Sequence, residues 1–366
     1  MVWSPDPGAI GARIEDLDTP SLLLDLDAVE RNLDRMAGLY AGSSVRLRPH
    51  TKTHKVPNLA LMQLERGAIG VCCAKLGEAE VMAAGGVPEI LVTTEVVGTA
   101  KVRRLLGLAR QTNVLTVIDD ATAAERLSAA AVEAGLRLRC LVDVNVGQDR
   151  TGVEPGEPAL QLAQAIERLP GLALVGLQGY EGHLQHIADA GERRAANARA
   201  MGLLARTADL LRDRGLPIEI VSTAGTGTGQ FAAEWPQVTE LQPGSYVVMD
   251  AHYGRVEGLG FEHALTVLVS VVSRRGNDAI VDAGYKTLSS DSGPAAPREI
   301  DATYAFQGDE HGKLTFANGN PLALGDKVEL IPSHCDTTIN LHDLYYVTRG
   351  GRVVAVWPVA ARGRVQ

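Results

Sequence analysis

The fold of this chain is constrained most by a regular alternation of short apolar runs and helical stretches that begins near residue 45. The apolar runs are rich in β-branched and aliphatic residues and end in polar ones. They are the candidate strands 45–50, 68–73, 89–94, 114–119, 136–145, 172–179, 217–223 and 238–248. Helical stretches lie between them, for example at 121–134 and 190–214. Eight such units predict a closed (β/α)8 barrel of the TIM type, with a doubly wound open sheet as the alternative.

The pattern changes after about residue 260, where strand-like runs continue without a long helix. Turn residues separate these runs, which predicts a β-rich second domain. The candidate strands are 263–273, 278–282, 327–331 and 344–348. We predict a barrel over residues 18–258 and a β-rich domain formed by 1–17 and 259–366, to which the segment 18–24 is a candidate additional strand.

The composition indicates a globular protein that acts on small molecules. The 366 residues are 45% hydrophobic and 22% charged, with a net charge of −9 and no polybasic stripe, so nucleic acid is not an expected partner. No apolar run reaches about 18 residues, and no membrane span is predicted. Residues 1–5 lack the pattern of a secretory signal, and the four cysteines lack the spacing of a disulfide framework. We expect a cytoplasmic location, with the adjacent Cys72 and Cys73 on opposite faces of one strand.

Polar residues follow several predicted strands at the point where each strand ends. In a barrel of this kind the active site forms at the carboxyl ends of the strands, so these residues are expected to face one rim. They are His50, Lys52, Asp143, Asn145, Arg150, Gln178, Tyr180, His183, His186, the run 222–229, Gly244, Ser245 and Tyr246. We therefore predict a single active site around Lys52.

Lys52 lies in a basic segment, with Arg48, His50 and His54 close to it in the chain. Neighbouring cations and partial burial both disfavour an ammonium group, so we expect the pKa of Lys52 to fall. A lysine of this kind is a nucleophile that can form a Schiff base. The alternative is a basic loop that binds an anion.

The run 222–229 contains three glycines and several hydroxyl residues after a predicted strand. Glycines allow backbone N–H groups to approach a phosphate closely, although such a run is also typical of a flexible turn. A phosphate site together with a Schiff-base lysine indicates pyridoxal 5'-phosphate (PLP). The candidate cofactor-binding residues are His50, Arg150, Tyr180, Ser222, Thr223, Gly225, Thr226, Gly244, Ser245 and Tyr246.

Two further rim segments carry candidate catalytic groups. Arg150 can pair with a substrate carboxylate or hydrogen-bond the cofactor ring, or it can form a surface salt bridge with Asp149. Tyr180 can stack on a planar cofactor. Either His183 or His186 can act as the general base, and His186 is our candidate.

The segment 334–336 reads His-Cys-Asp after a predicted strand. Residues two apart in an extended segment point the same way, so His334 and Asp336 are candidate ligands of one divalent metal, with Cys335 turned away. An imidazole and a carboxylate suit Mn²⁺, Mg²⁺, Fe²⁺ or Zn²⁺. The alternative is an ordinary polar strand end.

With these residues assembled, the chain resembles the D-threonine aldolase/D-serine dehydratase family, a branch of the alanine racemase-like PLP enzymes. The resemblance extends from residue 18 to the last predicted strands, and its most specific motifs are 48–55, 147–153, 179–183 and 334–336. It implies a PLP-holding barrel, a β-domain that carries a metal, and a homodimer.

The resemblance also implies roles for individual residues. Lys52 matches the lysine that holds PLP, Arg150 and Tyr180 match contacts to the cofactor ring, and His334 and Asp336 match the metal ligands. Dehydratase members of the family usually show His-x-Cys at this point and aldolase members show His-x-Asp. Because residue 336 is an aspartate, the chain resembles the aldolase branch, with Mn²⁺ or Mg²⁺ as the expected metal and Zn²⁺ as an alternative.

The resemblance implies cleavage of a D-β-hydroxy-α-amino acid, such as D-threonine, to glycine and an aldehyde. The metal would bind and acidify the β-hydroxyl, and His186 or a metal-bound water would remove its proton. Three alternatives remain open: a 3-hydroxy-D-aspartate aldolase that gives glyoxylate, a D-serine or 3-hydroxyaspartate dehydratase, and a PLP carrier without turnover. Carriers usually lack a C-terminal β-domain, which argues against the last.

Overall fold

The computed structural model describes residues 7–366 and contains two sheets within that range. The strands are β1 (Ser21–Asp25), β2 (Arg46–Leu47), β3 (Val71–Cys73), β4 (Glu89–Val92), β5 (Asn113–Ile118), β6 (Leu138–Asp143), β7 (Leu172–Gly179), β8 (Ile220–Thr223), β9 (Glu240–Leu241), β10 (Leu265–Arg275), β11 (Asp278–Val281), β12 (Ala296–Pro297), β13 (Thr303–Phe306), β14 (Gly312–Thr315), β15 (Lys327–Ile331), β16 (Leu344–Arg349) and β17 (Arg352–Pro358). The first six residues of the predicted 1–17 segment lie outside the described residues, and so does the prediction about a secretory signal at residues 1–5.

The helices alternate with the strands of the first sheet. They are α1 (Leu26–Leu39), α2 (Pro57–Glu65), α3 (Leu76–Ala84), α4 (Thr99–Ala109), α5 (Ala121–Glu133), α6 (Glu157–Glu167), α7 (Ala190–Asp213), α8 (Gly229–Ala232) and α9 (Cys335–Ile339). Three of them begin at an aspartate whose side chain accepts a backbone N–H three residues later, namely Asp25, Asp120 and Asp189. Such a cap satisfies a donor that has no partner inside the helix. The predicted helices at 121–134 and 190–214 are confirmed as α5 and α7.

The first sheet is a closed parallel barrel formed by β2–β9. Its strands run in the order β2-β9-β8-β7-β6-β5-β4-β3, and its two end strands also meet. Cys72 N donates to Pro49 O at 2.8 Å, and Ile69 N donates to Leu47 O at 2.9 Å. This contact completes the circle, so the predicted eight-stranded barrel is confirmed over the doubly wound alternative.

Alternating residues of the barrel strands pack on different sides of the sheet. Leu115 and Val117 belong to a small interior cluster with Leu91 and Leu141, whereas the intervening positions face the helices or neighbouring strands. Cys72 lies in this interior and Cys73 in the outer core, which confirms their predicted placement on opposite faces. All four cysteines are buried and free. Because the interior is filled by side chains, a ligand can bind only at the rim.

The second sheet is mostly antiparallel and includes the first strand of the chain. β1 pairs antiparallel with β10 and parallel with β16, as expected for an additional strand at 18–24. The remaining order is β13-β14-β11-β10-β1-β16-β17, with β15 attached to β10 and β12 to β15. The division into domains at residues 18 and 258 stays a prediction, since β1 lies inside the predicted barrel range yet pairs with the second sheet.

The second sheet is attached to the carboxyl-end rim of the barrel by hydrogen bonds. Tyr345 Oη donates to His54 O at 2.8 Å, and Cys335 N donates to Asp250 Oδ2 at 2.9 Å. The segment 334–336 is thereby held above the strand ends of the barrel. Among the described residues, no helix has the length and apolar character that crossing a membrane requires.

Candidate active site

A cavity of about 200 Å³ lies where the barrel rim meets the second sheet. Most of the predicted site residues line it. They are His50, Lys52, Arg150, Tyr180, His186, Gly225, Thr226, Gly244, Ser245, His334 and Asp336. A larger cavity of about 450 Å³ shares Arg150 but is lined by neither Lys52 nor the candidate metal ligands. The smaller cavity is therefore the one in which the reactive groups meet.

Lys52 extends into this cavity and is only half-buried. Its Nζ lies 3.9 Å from Asp336 Oδ2 and 5.7 Å from the centre of the Tyr180 ring. At the high pH where Lys52 titrates, negative charge on the Tyr180 oxygen and on the Asp336 carboxylate favours the ammonium form and outweighs burial, so the pKa of Lys52 is raised. The predicted fall in the pKa of Lys52 is wrong.

The pKa of Lys52 does not fall because the basic residues close to it in the chain are either paired with carboxylates or uncharged. Arg48 is buried, with its guanidinium bound to Glu240 at 2.9 and 2.8 Å and to Glu89 at 2.8 Å. Burial holds the pKa of His50 well below its ordinary value, so His50 is uncharged at neutral pH. The charged group that Lys52 meets is instead Asp336, which is distant in sequence.

Tyr180 and Arg150 form one wall of the cavity. The Arg150 guanidinium carbon lies 5.8 Å from the centre of the Tyr180 ring, on which it can exert a cation–π attraction. Burial raises the pKa of Tyr180, which is therefore a neutral phenol at pH 7. Arg150 forms no salt bridge within residues 7–366, and Asp149 instead accepts from Asn145 Nδ2 at 2.8 Å. The alternative of a surface pair between Arg150 and Asp149 is thus not supported.

The glycine-rich run forms a tightly packed turn at the base of the cavity. A Cβ atom at Gly225 would lie 2.6 Å from Gln185 Oε1, and one at Gly244 would lie 2.9 Å from Thr53 Oγ1. Side chains larger than hydrogen are therefore excluded where the two loops meet. Gln185 and Glu181 hold the run from behind, since Gln185 Oε1 accepts from Gly227 N and Glu181 Oε2 accepts from Ala224 N.

The same loops leave several donors available toward the cavity. Among the described residues, the backbone N–H groups of Thr226, Gly244 and Ser245 find no acceptor. Backbone N–H groups without acceptors are what a phosphate dianion requires. The donor set and the small size of Gly225 and Gly244 therefore fit the phosphate of PLP, and Lys52 fits its aldehyde.

Three predicted cofactor contacts lie behind the cavity wall. Ser222 Oγ accepts from Gln242 Nε2, and Thr223 Oγ1 donates to Gly179 O at 2.6 Å. Tyr246 Oη accepts from Gln63 Nε2 at 3.1 Å, with the ring buried. Because these side chains are used in packing and internal hydrogen bonds, they support the loops instead of lining the cavity.

Only one of the two candidate histidines lies at the cavity. His186 lines the cavity, whereas His183 is exposed and outside it. The His186 ring stacks on His252 with 3.9 Å between ring centres, and its Nε2 is buried without a hydrogen-bond partner among the described residues. Burial, with His252 and His334 nearby, lowers the pKa of His186 to about 4. His186 is therefore neutral at pH 7 and has a lone pair to accept a proton.

His334 and Asp336 both reach the cavity, although the backbone differs from the prediction. His334 caps the short helix α9 and Asp336 lies in its first turn, so this segment is not an extended strand end. Burial raises the pKa of Asp336, but Lys52 and His334 lower it more, and the carboxylate is charged. Within residues 7–366 no group of three or more metal-ligating side chains occurs. These two donors fit a divalent metal that takes its other ligands from water or substrate.

Several residues of this site have no counterpart in the sequence predictions. The additional lining residues are Thr53, Gln148, Gly182, Gln185, Gln242 and Tyr253. Thr53, Gln148 and Gly182 lie inside the motifs 48–55, 147–153 and 179–183, which are usable signals. Asp291, whose Oδ2 lies 2.5 Å from His334 Nδ1, lies in no motif. Only the folded chain brings it to the site.

Comparison with known proteins agrees with this architecture. Residues 24–252 match the family described as "Alanine racemase, N-terminal domain", and residues 264–348 match "Putative serine dehydratase domain". A D-threonine aldolase of an Arthrobacter species is 41% identical over 98% of this chain and 96% of its own length. A 3-hydroxy-D-aspartate aldolase of Paracoccus denitrificans strain Pd 1222 is 40% identical over 98% and 95%, respectively.

A solved structure is also closely similar. The crystal structure of D-threonine aldolase from Filomicrobium marinum superposes with a TM-score of 0.95 and 44% identity, and 98% of each chain is covered. The matches extend across both sheets, so they include the barrel rim and the segment that carries His334 and Asp336. On these grounds the chain belongs to the D-threonine aldolase/D-serine dehydratase family of alanine racemase-like enzymes.

Proposed function

We propose that this protein is an aldolase, dependent on PLP and a divalent metal, that cleaves D-β-hydroxy-α-amino acids such as D-threonine to glycine and an aldehyde. The observation that carries the proposal is that Lys52 Nζ and Asp336 Oδ2 lie 3.9 Å apart in one cavity. PLP held by Lys52 and a divalent metal held by Asp336 would therefore lie close enough to act on the amino group and the β-hydroxyl of one substrate. The similarity to D-threonine aldolases supports the same reaction class.

The residues that would hold PLP are those of the fitted site. Lys52 would bind the aldehyde, the N–H groups of Thr226, Gly244 and Ser245 would bind the phosphate, and Arg150 with Tyr180 would contact the ring. When bound, PLP supplies an electron sink for the pair released by carbon–carbon cleavage.

The remaining chemistry belongs to groups on the opposite wall. His334 and Asp336 would hold the divalent ion, Mn²⁺ or Mg²⁺ in our proposal, which supplies Lewis-acid polarisation of the β-hydroxyl. His186, neutral at pH 7 and with Nε2 free, would accept the hydroxyl proton. Loss of that proton drives cleavage between the α and β carbons.

The character of the cavity favours D-threonine-like substrates over 3-hydroxy-D-aspartate. Apart from histidines, the described residues that line it include only two cations, Lys52 and Arg150, and both are assigned to the cofactor. A second substrate carboxylate would lack a cation to pair with in this chain. Release of glyoxylate therefore remains the second candidate, supported by the similarity to 3-hydroxy-D-aspartate aldolase.

A substrate panel tests the proposal directly. D-threonine, D-phenylserine, D-serine and 3-hydroxy-D-aspartate would be supplied with PLP and with Mn²⁺, Mg²⁺ or Zn²⁺, and L-threonine would serve as the control. We expect glycine and acetaldehyde from D-threonine, no ammonia, and loss of turnover after chelation with PLP still bound. Ammonia and a keto acid as products would identify a dehydratase, and full activity after chelation would remove the metal from the mechanism.

We further propose that the protein works as a homodimer, as the family resemblance implies. A cytoplasmic location is proposed because the four cysteines are free and a reducing compartment keeps them so.

A further inference from the structure

A carboxylate outside every recognised motif is bonded to the candidate metal ligand His334. Asp291 Oδ2 lies 2.5 Å from His334 Nδ1, and the two residues are 43 positions apart in the chain. The other carboxylate oxygen, Oδ1, accepts the hydroxyl of Thr337 at 2.9 Å. Both oxygens of Asp291 are thus held, one by the imidazole and one by the first turn of α9.

This arrangement determines which nitrogen of His334 is available. A carboxylate accepts a hydrogen bond, so Nδ1 carries the proton and Nε2 keeps its lone pair. The ring is also fixed in orientation, because a hydrogen bond at Nδ1 restricts rotation about the Cβ–Cγ bond. Histidines that ligate metals commonly make this bond to a carboxylate through the nitrogen that does not face the metal.

Surrounding hydroxyls hold the loop that carries Asp291 against α9. Ser289 N donates to Thr338 Oγ1 at 3.2 Å, and Ser289 Oγ donates to the backbone oxygen of His334 at 3.4 Å. The loop between β11 and β12 therefore contacts the α9 backbone at the residue whose side chain Asp291 orients. An arrangement needed only for packing would not require a carboxylate at the imidazole.

We propose that Asp291 is a positioning residue that prepares His334 Nε2 to bind the divalent metal. The inference rests on the proposed function, in which His334 and Asp336 hold that metal. Asp291 does not line the cavity, so it acts through His334. Loss of its carboxylate leaves the imidazole free to rotate and to take the other tautomer, and the metal is then bound more weakly.

The effect on folding is expected to be small, which makes the test selective. The Asp291 side chain is 47% exposed and that of His334 is 26% exposed, and a hydrogen bond this accessible to water adds little to stability. Asp291→Ala should therefore fold with an unchanged thermal midpoint and retain PLP. Its defect should appear as weaker binding of the divalent metal.

The experiment is a titration of Mn²⁺ into chelated protein that retains PLP, with free Mn²⁺ followed by electron paramagnetic resonance. Native protein would be compared with Asp291→Ala, Asp291→Asn, His334→Ala and Asp301→Asn. Asp301 is an exposed aspartate of the second sheet region and serves as the charge-matched control. We expect the Mn²⁺ dissociation constant to rise roughly 10–100-fold in Asp291→Ala and less in Asp291→Asn, with no change in Asp301→Asn.

Turnover provides a second readout that a structural defect would not reproduce. At saturating Mn²⁺, kcat of Asp291→Asn should recover most of the native value, because the metal restores the ring orientation at the cost of affinity alone. Native Mn²⁺ affinity in both Asp291 variants, alongside weakened binding in His334→Ala, would overturn the positioning role and leave the proposed function standing. If His334→Ala also bound Mn²⁺ with native affinity, the proposed metal site would be wrong, and the positioning role of Asp291 would be wrong with it.

Discussion

At the scale of single residues, the properties of the site depend on neighbours that are distant in the chain. Lys52 lies between a phenol and the Asp336 carboxylate, and its pKa is raised although its sequence neighbours are basic. His186 is partly buried against a second imidazole, and burial together with that neighbour lowers its pKa to about 4. Both residues were identified from sequence as reactive, but the structure reverses the direction expected for the pKa of Lys52.

Substitution of Lys52 tests the attachment of PLP. Lys52→Ala removes the amine within the cavity, so borohydride reduction should no longer attach the cofactor to the protein, and turnover should fall by on the order of 10³-fold or more. The measurement is peptide mapping of the reduced protein together with the visible absorbance of bound PLP. Lys286→Ala, which alters an exposed lysine, should retain both signals. Cofactor trapped at another lysine of native protein would contradict the assignment.

A buried histidine near the site predicts an acid-sensitive stability. Burial lowers the pKa of His54 to about 4 from an ordinary 6.5, so between these values the unfolded chain binds more protons than the folded protein. The contribution of neutral His54 to stability is complete above the pKa that it has in the unfolded chain. It is lost as the pH falls toward the pKa that His54 has in the folded protein. From about pH 7.5 to about pH 5.5 we expect His54 to remove on the order of 1 kcal/mol of unfolding free energy.

Urea unfolding at several pH values measures this loss. His54→Asn keeps a hydrogen-bond acceptor near that of Nδ1 but does not titrate, so its unfolding free energy should lose less over the same pH range, by a similar amount. His311→Asn changes an exposed histidine and should retain the native pH dependence. An unaltered slope in His54→Asn would show that other groups cause the acid sensitivity.

At the scale of elements, two features stabilise the barrel, and the first is the glycine-rich turn after β8. A Cβ atom at Gly227 would lie 2.2 Å from the backbone oxygen of Gln185, which no side-chain rotation relieves. Gly227→Ala should therefore displace the turn, lower stability by about 1–3 kcal/mol, and weaken PLP retention on dialysis by roughly tenfold or more. Gly107→Ala, on a helix surface with open space at the Cβ, is the control and should be neutral or slightly stabilising. Native PLP retention in Gly227→Ala would argue against a phosphate-binding turn.

The second is the ionic contact that joins β2 to β9. Arg48 is buried with Glu240, and the pair bonds twice across adjacent strands. Glu240→Ala leaves a buried guanidinium with one partner fewer, and we expect a loss of about 3–5 kcal/mol in urea unfolding. The exposed pair of Arg13 and Glu15 provides the control, because Glu15→Ala should cost less than about 1 kcal/mol. Equal effects of the two substitutions would contradict a structural role for the buried pair.

The elements themselves were predicted well from sequence where periodicity is strong, and less well where the chain turns. The predicted strand at 238–248 is only Glu240–Leu241, because Pro243 has no N–H for a ladder and a 3-10 turn follows at Ser245–Val247. The segment 334–336 was read as extended but begins α9. Short segments of this kind take their backbone from the contacts around them, here the bond of Cys335 N to Asp250.

At the scale of the whole molecule, the site is formed by two sheets of one chain, and two chains are proposed to form a homodimer. If the proposed homodimer is correct, sedimentation velocity should give a species of twice 38.8 kDa that persists on dilution. The expectation follows from the family resemblance. Asp291→Ala should alter only metal affinity, so the same species is expected when this variant is run in parallel. A single species of 38.8 kDa across the concentration range would exclude the dimer.

The alternation of strand and helix patterns, the glycine-rich run, Lys52 and the motifs shared with the family are properties of the linear chain. They are sufficient to predict a barrel with one reactive rim, because periodicity determines local structure, and repeated strand–helix units bring the carboxyl ends of all strands to the same side. The tertiary structure alone decided that His186 and not His183 reaches the cavity, that Asp336 raises the pKa of Lys52, and that Asp291 holds His334. The physical reason is that charge, solvation and hydrogen bonding depend on distances through space, which separation along the chain does not specify.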